Sequence, residues 1–102
     1  MNKNRLGDLA ELRAAAWAME RGYEVFRNLG CSGPADLILM GPRGEVIKVD
    51  VKKAHPCTTA HRAKRLSDDQ VSMGVRRLWI CDDGRAGIDD GLQSFCAGLI
   101  EW

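Results

Sequence analysis

The chain has 102 residues, of which 45% are hydrophobic and 28% charged. This balance is ordinary for globular proteins, so it excludes extensive disorder, and the length is enough for one compact domain spanning residues 1–102. The formal net charge of +1 gives no argument for a nucleic-acid partner, so such an argument has to come from local clusters of basic residues.

The cysteines and the N-terminus restrict the class of protein further. No two of the four cysteines form a Cys-x-x-Cys pair, so the spacing typical of a zinc site is absent. The N-terminal sequence is polar, without the apolar segment of a secretory signal, and no run approaches the roughly 18 apolar residues of a membrane span. We therefore expect a cytoplasmic protein with free thiols and no membrane partner.

The first predicted element is a helix over residues 4–22. Apolar residues recur in it at steps of three and four, which places them on one face, and its many alanines favour helix. The members of this predicted face are Leu6, Leu9, Leu12, Ala16 and Met19. Gly22 stands where a C-terminal cap would end the helix.

Three strands are predicted after this helix. Residues 23–29 alternate between the two faces of a strand, and a Gly-Cys-Ser-Gly-Pro segment breaks them off. Residues 35–40 and 45–53 are two further apolar runs, joined by a Gly-Pro-Arg-Gly turn. This pattern predicts a hairpin.

The second half of the chain starts with residues 54–66, which have no clean period and hold two His, two Arg and one Lys. We predict a basic loop there. Ser67 is a candidate N-cap for a short helix, since Asp68 and Asp69 suit the positive end of a helix dipole. Residues 77–83 are apolar enough for a last, buried strand.

The tail, residues 87–102, shows weak helical spacing at Leu92, Phe95 and Leu99. The predicted order before it is α-β-β-β-α-β. We therefore expect a small α/β (α+β) domain whose mixed central sheet is flanked by helices.

Charged residues interrupt the predicted hairpin. Asp50 and Lys52 point to the same face of their strand, because side chains alternate, while Val49 and Val51 point to the core. Asp36 opens the neighbouring strand, and a tight hairpin would bring it beside Asp50. Two carboxylates held close repel each other unless a cation lies between them, and oxygen ligands suit Mg²⁺ or Mn²⁺.

A lysine beside such a site adds a further function. Lys52 would orient a water molecule or hold a phosphate as a point charge. A metal ion would stabilise charge on phosphoryl oxygens. These are the groups that phosphodiester hydrolysis requires.

Pro34, Asp36, Asp50 and Lys52 form Pro-x-Asp, thirteen intervening residues, and Asp-x-Lys. This arrangement resembles the motif of the PD-(D/E)XK nuclease superfamily, with Ala35 inserted between the proline and the aspartate. Aspartate at the second position, where glutamate is commoner, also occurs in the superfamily. The branches to which the chain is most similar are Holliday-junction resolvases and endonucleases encoded in group I introns.

The resemblance covers residues 5–81 and implies a restriction-endonuclease-like core. It implies that Glu11 on the first helix is a further metal-site residue and that Gln70 on the next helix faces the site. The implied catalytic residues are Glu11, Asp36, Asp50, Lys52 and Gln70. The implied ligands of Mg²⁺ or Mn²⁺ are the carboxylates of Glu11, Asp36 and Asp50 and the backbone carbonyl of Val51.

Each implied role has a simpler alternative. In these alternatives, Asp50 would only pair with Lys52, and Asp36 would only cap a turn. Glu11 and Gln70 would be polar residues of helix surfaces. We expect the histidines of the basic loop to be polar loop residues that could contact phosphate.

Basic and polar residues near the motif and at the N-terminus are the candidate DNA surface. They are Lys3, Arg5, Ser32, Lys53, His61, Arg62, Lys64 and Arg65. Lys53 points away from Lys52 and is expected to be peripheral.

The function implied is that of a metal-dependent DNA endonuclease, encoded by a bacterium, an archaeon or a phage. Compactness favours a structure-specific enzyme on branched DNA, because no element that reads bases in the major groove is evident. The alternatives are a site-specific homing or restriction-type endonuclease, a catalytically inactive nuclease fold that binds DNA or protein, and a protein with a chance motif. Cutting both strands would favour a homodimer or a higher symmetric homo-oligomer.

Overall fold

The computed structural model describes residues 3–30, 33–54, 60–62, 64–93 and 95–97. The helices are α1 (Lys3–Glu20) and α2 (Asp68–Ser72), and the strands are β1 (Glu24–Arg27), β2 (Leu37–Met40), β3 (Val46–Ala54), β4 (Ala60–Arg62), β5 (Val75–Cys81), β6 (Ala86–Asp89) and β7 (Phe95–Ala97). The predicted α+β class is confirmed, with β4, β6 and β7 added to the predicted order. Within the described ranges, no helix is long and apolar enough to cross a membrane.

Five strands form a mixed sheet in the order β1-β2-β3-β5-β6. β3 and β5 are parallel, and the other neighbouring strands are antiparallel. The predicted hairpin is confirmed as β2 and β3, with Leu37 opposite Val49 and Met40 opposite Val46. β3 is the middle strand of the sheet, so Asp50 and Lys52 project from the centre of the fold.

α1 packs on one face of this sheet through alanines. Ala10, Ala14 and Ala18 are 6%, 0% and 0% exposed and belong to the main core cluster. The predicted apolar face is therefore wrong: Leu12 and Met19 are 62% and 63% exposed. Alanines four residues apart let the helix backbone approach the sheet closely, so the small side chains, and not the large ones, are buried.

The predicted capping residues are confirmed at the C-terminus of α1 and at the N-terminus of α2. Gly22 adopts a positive φ of 87°, and its amide donates to the carbonyl of Met19. The Ser67 hydroxyl accepts from the Gln70 amide, and the Gln70 side chain accepts from the Ser67 amide, so α2 begins with a capping box.

Two predictions for the second half of the chain are corrected. The segment predicted as a basic loop contains β4, and the tail predicted from helical spacing contains β7 within its described part. These strands pair antiparallel, with Ala60 opposite Ala97 and Arg62 opposite Phe95, in a separate two-stranded sheet. Strand pairing with a distant segment outweighs a weak local helical period.

Candidate active site

Asp36 and Asp50 approach each other where the β2–β3 hairpin ends. The amide of Asp36 donates to the carbonyl of Val49 at 2.8 Å, which extends the ladder one residue beyond Leu37. Asp36 therefore lies across from Asp50. Its Oδ2 accepts a hydrogen bond from the Val51 amide at 2.7 Å, so this carboxylate bridges the two strands.

Asp50 presents a buried carboxylate oxygen. Its side chain is 14% exposed, and Lys52 Nζ lies 3.3 Å from Oδ2. This contact is an ion pair without hydrogen-bond geometry, since Oδ2 is a buried acceptor with no hydrogen-bond partner among the described residues. Burial and the nearby charge of Asp36 raise the pKa of Asp50, although Lys52 and Arg77 act in the opposite direction.

Glu11 reaches the same electrostatic environment from α1. Burial and the charge of Asp36 raise the pKa of Glu11, although Arg27 lowers it. Arg27 Nε lies 3.6 Å from Glu11 Oε1, and its Nη2 lies 3.4 Å from Asp8 Oδ1. The pKa of Glu11 thus responds to Asp36, but its carboxylate is engaged by a cation on β1.

Gln70 connects α2 to the segment before the hairpin. Its Nε2 donates to the Pro34 carbonyl at 2.9 Å, while its Oε1 takes part in the cap of α2. Gln70 also lines a cleft with Asp50 and Lys52. The structure therefore places Gln70 at the site and gives it a tethering role there.

This cleft has a volume of about 420 Å³, and Lys64 and Arg65 form its basic wall, although Arg65 Nη2 also lies 3.6 Å from Asp68 Oδ1. Its lining residues are Asp50, Lys52, Lys64, Arg65, Leu66, Ser67, Asp68 and Gln70. Lys64 and Arg65, two of the predicted DNA-binding residues, thus lie beside the Asp-x-Lys pair. The combination of buried carboxylate, ammonium and basic wall suits a phosphodiester group.

Two other predicted DNA-binding residues, Lys53 and Arg5, lie away from the cleft. Lys53 points to the opposite face of β3, where its Nζ lies 3.4 Å from Asp82 Oδ1. Arg5 lies on α1 in a shallow groove formed with Asp8, Leu9 and Leu12.

Three of the predicted DNA-binding residues are described by backbone alone: Lys3 at the start of α1, and His61 and Arg62 in β4. Ser32 lies outside the described residues, as does His55.

A buried Arg77 behind the cleft was not predicted. Its side chain is 1% exposed, and it makes two hydrogen bonds to the Asp89 carboxylate, from Nε at 3.1 Å and from Nη2 at 2.9 Å. The Trp79 indole also donates to Asp89 at 2.9 Å, and the guanidinium stacks on the indole ring at 4.8 Å. An arginine inside an apolar strand is the sequence signal, because a buried charge requires a partner.

The donor set fits a hard divalent cation in part. Asp50 offers a buried oxygen that has an ion-pair partner in Lys52 but no hydrogen bond among the described residues, and Asp36 lies next to it, which suits Mg²⁺ or Mn²⁺. However, no group of three or more acidic, His or Cys side chains in the described ranges is assembled closely enough to hold a metal. Glu11 would have to leave Arg27 to join the two aspartates, and the role of the Val51 carbonyl remains a prediction.

Comparisons with known proteins relate the chain to one fold. No family model and no curated protein matches the sequence. Among solved structures, the chain is similar to a bacterial homing endonuclease, I-Ssp6803I, with 17% sequence identity and a TM-score of 0.70. The match covers 100% of this chain and 80% of that chain, so the two proteins share a fold over the whole present sequence.

Proposed function

We propose that the protein is a metal-dependent DNA endonuclease with a PD-(D/E)XK-type active site. The observation that carries this proposal is the buried Asp50 oxygen, which lies beside Asp36 and Lys52 and accepts no hydrogen bond within the described part of the chain, at the edge of a cleft with a basic wall. Carboxyl groups with raised pKa values cluster at functional sites. The shared fold with a homing endonuclease supports the same class of reaction.

Each residue of the cleft has a separate task in this proposal. The Lys52 ammonium holds a phosphate oxygen and orients the attacking water, while Lys64 and Arg65 hold the flanking phosphates. The water oxygen bonds to phosphorus and the bond from phosphorus to the 3′ oxygen breaks. The water gives up a proton and the leaving 3′ oxygen takes one up, which leaves a 5′-phosphate and a 3′-hydroxyl. Gln70 keeps α2 against Pro34 and so keeps the cleft at its width.

Asp36 and Asp50 would hold Mg²⁺ or Mn²⁺, and Glu11 would complete the set when Arg27 releases it. The cation would supply Lewis-acid stabilisation of the negative charge on the phosphoryl oxygens. Asp36 is fixed for this purpose by its hydrogen bond from the Val51 amide.

The test compares wild type with Asp50→Asn on branched and linear DNA in Mg²⁺ and in Mn²⁺. We expect cleavage by the wild type and a loss of at least about 100-fold in Asp50→Asn, which is the usual scale for removing one group that stabilises transition-state charge. Glu20→Gln, an exposed carboxyl-to-amide change at the end of α1, is the matched control and should retain activity. Equal cleavage by wild type and Asp50→Asn would refute the proposal.

The branched substrate remains our proposal on grounds of size, but one structural feature favours duplex DNA. The β4–β7 sheet is a two-stranded ribbon, and the major groove admits such a ribbon. No pattern in the sequence indicated this element. A site-specific enzyme acting on duplex DNA, as in homing, is therefore the second candidate.

Gel-shift competition separates the two substrates. If the enzyme is structure-specific, a four-way junction should displace a labelled junction at concentrations where duplexes of any sequence do not. If it is site-specific, selection from a randomised duplex library should recover one sequence that competes better than the junction.

The oligomeric state follows from the number of strands cut. One site cuts one strand, so a double cut by this small protein favours a homodimer or a higher symmetric homo-oligomer. Sedimentation equilibrium should give at least twice the monomer mass of 11.3 kDa. A monomer that nicks only one strand would contradict this part of the proposal.

A further inference from the structure

The two strands β4 and β7 are tied to the five-stranded sheet through the described residues next to them, 64–66 and 91–93. Their register pairs Arg62 with Phe95, and continuing it places Lys64 opposite Gln93 and Leu66 opposite Gly91. The amide of Leu66 does donate to the carbonyl of Gly91 at 2.8 Å, so this continued register holds there. Residues 64–66 and 91–93 together form the ribbon base.

Arg77 holds both sides of the ribbon base. Its Nη1 donates to the carbonyl of Lys64 at 3.2 Å and to the carbonyl of Gln93 at 2.7 Å. Its Nε and Nη2 are bound to Asp89 on β6. One planar guanidinium therefore connects the sheet to both strands of the ribbon, which a single ammonium with one nitrogen cannot do with the same geometry.

Because Arg77 is buried, its charge interacts with other groups inside the protein. Arg77 is the only charged residue that is buried within the described part of the chain. Asp89 accepts from Trp79 and from the Gly91 amide as well as from Arg77, so the acidic partner is fixed too. The network has the geometry of a rigid support, because each of its charged members is held by several hydrogen bonds.

This support lies directly behind the basic wall of the cleft. Lys64 and Arg65 line the cleft with Asp50 and Lys52, and Arg77 holds the backbone of Lys64. Arg77 is also opposite Asp50 in the parallel β3–β5 register. The position of the two wall cations relative to the Asp-x-Lys pair therefore depends on Arg77.

We propose that Arg77 is a positioning residue that fixes Lys64 and Arg65 along the cleft, where they bind phosphates of the DNA backbone. This inference rests on the proposed function and adds to it the residue that sets the alignment of the DNA. Arg77 does not contact the DNA itself, because its side chain is buried.

The salt dependence of DNA binding tests this role. The logarithm of the binding constant falls with the logarithm of salt concentration by about 0.9 per phosphate contact on duplex DNA. Binding of a labelled four-way junction, whose arms are duplex DNA, is followed by fluorescence anisotropy in EDTA over a series of KCl concentrations and counts these contacts. A purely structural arginine in a protein that stays folded would not change this slope.

The variants form a double-mutant cycle. Lys64→Ala/Arg65→Ala should reduce the slope by about 1.8, for two lost contacts at about 0.9 each. Arg77→Met/Asp89→Asn, which removes both buried charges together, should reduce the slope by a similar amount. Combining the two pairs should produce no further reduction, because the same contacts are already lost.

Arg76→Met is the matched control, since Arg76 is the exposed neighbour on the other face of β5. It should keep the wild-type slope.

Arg77→Lys is the milder second variant: it keeps the charge near Asp89 but not the bonds to both carbonyls. Like the Arg77→Met/Asp89→Asn pair, it should reduce the slope. Circular dichroism and thermal melting establish that each variant is folded.

A folded Arg77→Lys or Arg77→Met/Asp89→Asn protein with the wild-type slope would overturn the inference, even if the wild type cleaves DNA. Slope reductions that add in the combined variant would overturn it too. Absence of DNA binding by the wild type would instead refute the proposed function, and this inference with it.

Discussion

At the scale of single residues, the burial of the Asp50 carboxylate lowers the stability of the folded protein. Its carboxylate is mostly buried, and its Oδ2 has an ion-pair partner but no hydrogen bond among the described residues. The pKa of Asp50 is raised, mainly by burial, from an ordinary value of 3.8. Keeping this buried carboxylate ionised at neutral pH costs free energy of folding, and a cation bound to it would offset that cost.

We predict that Asp50→Asn stabilises the metal-free protein at neutral pH. The folded state binds the Asp50 proton more tightly than the unfolded state does, so the stability of the wild type falls as pH rises from 3.8 towards the folded-state pKa. The amide does not ionise and avoids this loss. Thermal melting in EDTA should give a higher Tm for Asp50→Asn at pH 7 and a smaller difference near pH 4. A lower Tm at pH 7 would contradict the prediction.

Asp89 is the opposite case. Burial alone would raise the pKa of Asp89, but hydrogen bonds from Arg77 and Trp79 and the charge of Arg77 hold it below its usual value. Its contribution to stability is therefore present above the unfolded pKa of about 3.8 and is lost as pH falls through the lower folded value.

We predict that Asp89→Asn lowers the free energy of unfolding at pH 7 by about 3–5 kcal/mol, because it leaves Arg77 buried without its anion. Urea denaturation at a series of pH values should show the gap to wild type closing under acid conditions. Asp90→Asn, the exposed neighbour, is the control and should have a much smaller effect. A gap that stays constant down to acid pH would rule out the charge of Asp89 as its cause.

At the scale of elements, glycines with positive φ mark the points where the chain must turn. Gly44 in the β2–β3 turn has φ +83°, and a Cβ there would meet no other atom, so only its backbone conformation matters. Gly91 in the ribbon base has φ +69°, and a Cβ there would overlap the side chain of Leu66. Gly91 is thus required both by the turn and by the packing against Leu66.

We predict that Gly91→Ala destabilises the protein more than Gly44→Ala. Both changes cost roughly 1–2 kcal/mol for the left-handed backbone. Gly91→Ala adds about 1–3 kcal/mol of overpacking against the buried Leu66. Urea denaturation of both variants checks the difference. Equal losses would show that Leu66 moves aside freely and that the ribbon base is less rigid than its contacts indicate.

At the scale of the whole molecule, the sheet has two unlike faces. One face packs against the alanines of α1, and the other supports the cleft and the Arg77 network. β3 serves both faces, since Val49 is buried under α1 while Asp50 and Lys52 line the cleft. The alternation of this one strand therefore places its core residue and its candidate catalytic residues on opposite faces.

The contact of α1 with the sheet gives a prediction at this scale. Ala14→Leu should lower the free energy of unfolding by about 1–3 kcal/mol, because the completely buried Ala14 leaves no space for a larger side chain. Leu12→Ser, on the exposed side, should stay within about 0.5 kcal/mol of wild type. If urea denaturation showed a larger loss of stability for Leu12→Ser than for Ala14→Leu, the leucine face predicted from the sequence would be the buried one.

Local features of this protein were determined by its sequence alone. The Ser67 cap, the Gly22 stop, the β2–β3 hairpin and the common face of Asp50 and Lys52 all depend on residues a few positions apart. Steric preferences and strand alternation act over that range, so the pattern is readable without a structure. The pairing of Asp36 with Asp50 belongs here as well, because a short turn fixes the register.

The tertiary structure decided which surfaces meet. The burial of Ala14 in place of Leu12, the pairing of β4 with β7, and the Arg77–Asp89 support behind the cleft all join segments that are distant in the chain. Such contacts depend on which face each element turns to its neighbours and on how closely the backbones approach. The local periodicity of the sequence predicts neither of these. The sequence therefore supplied the reactive groups, whereas packing between distant segments set the cleft in which they lie.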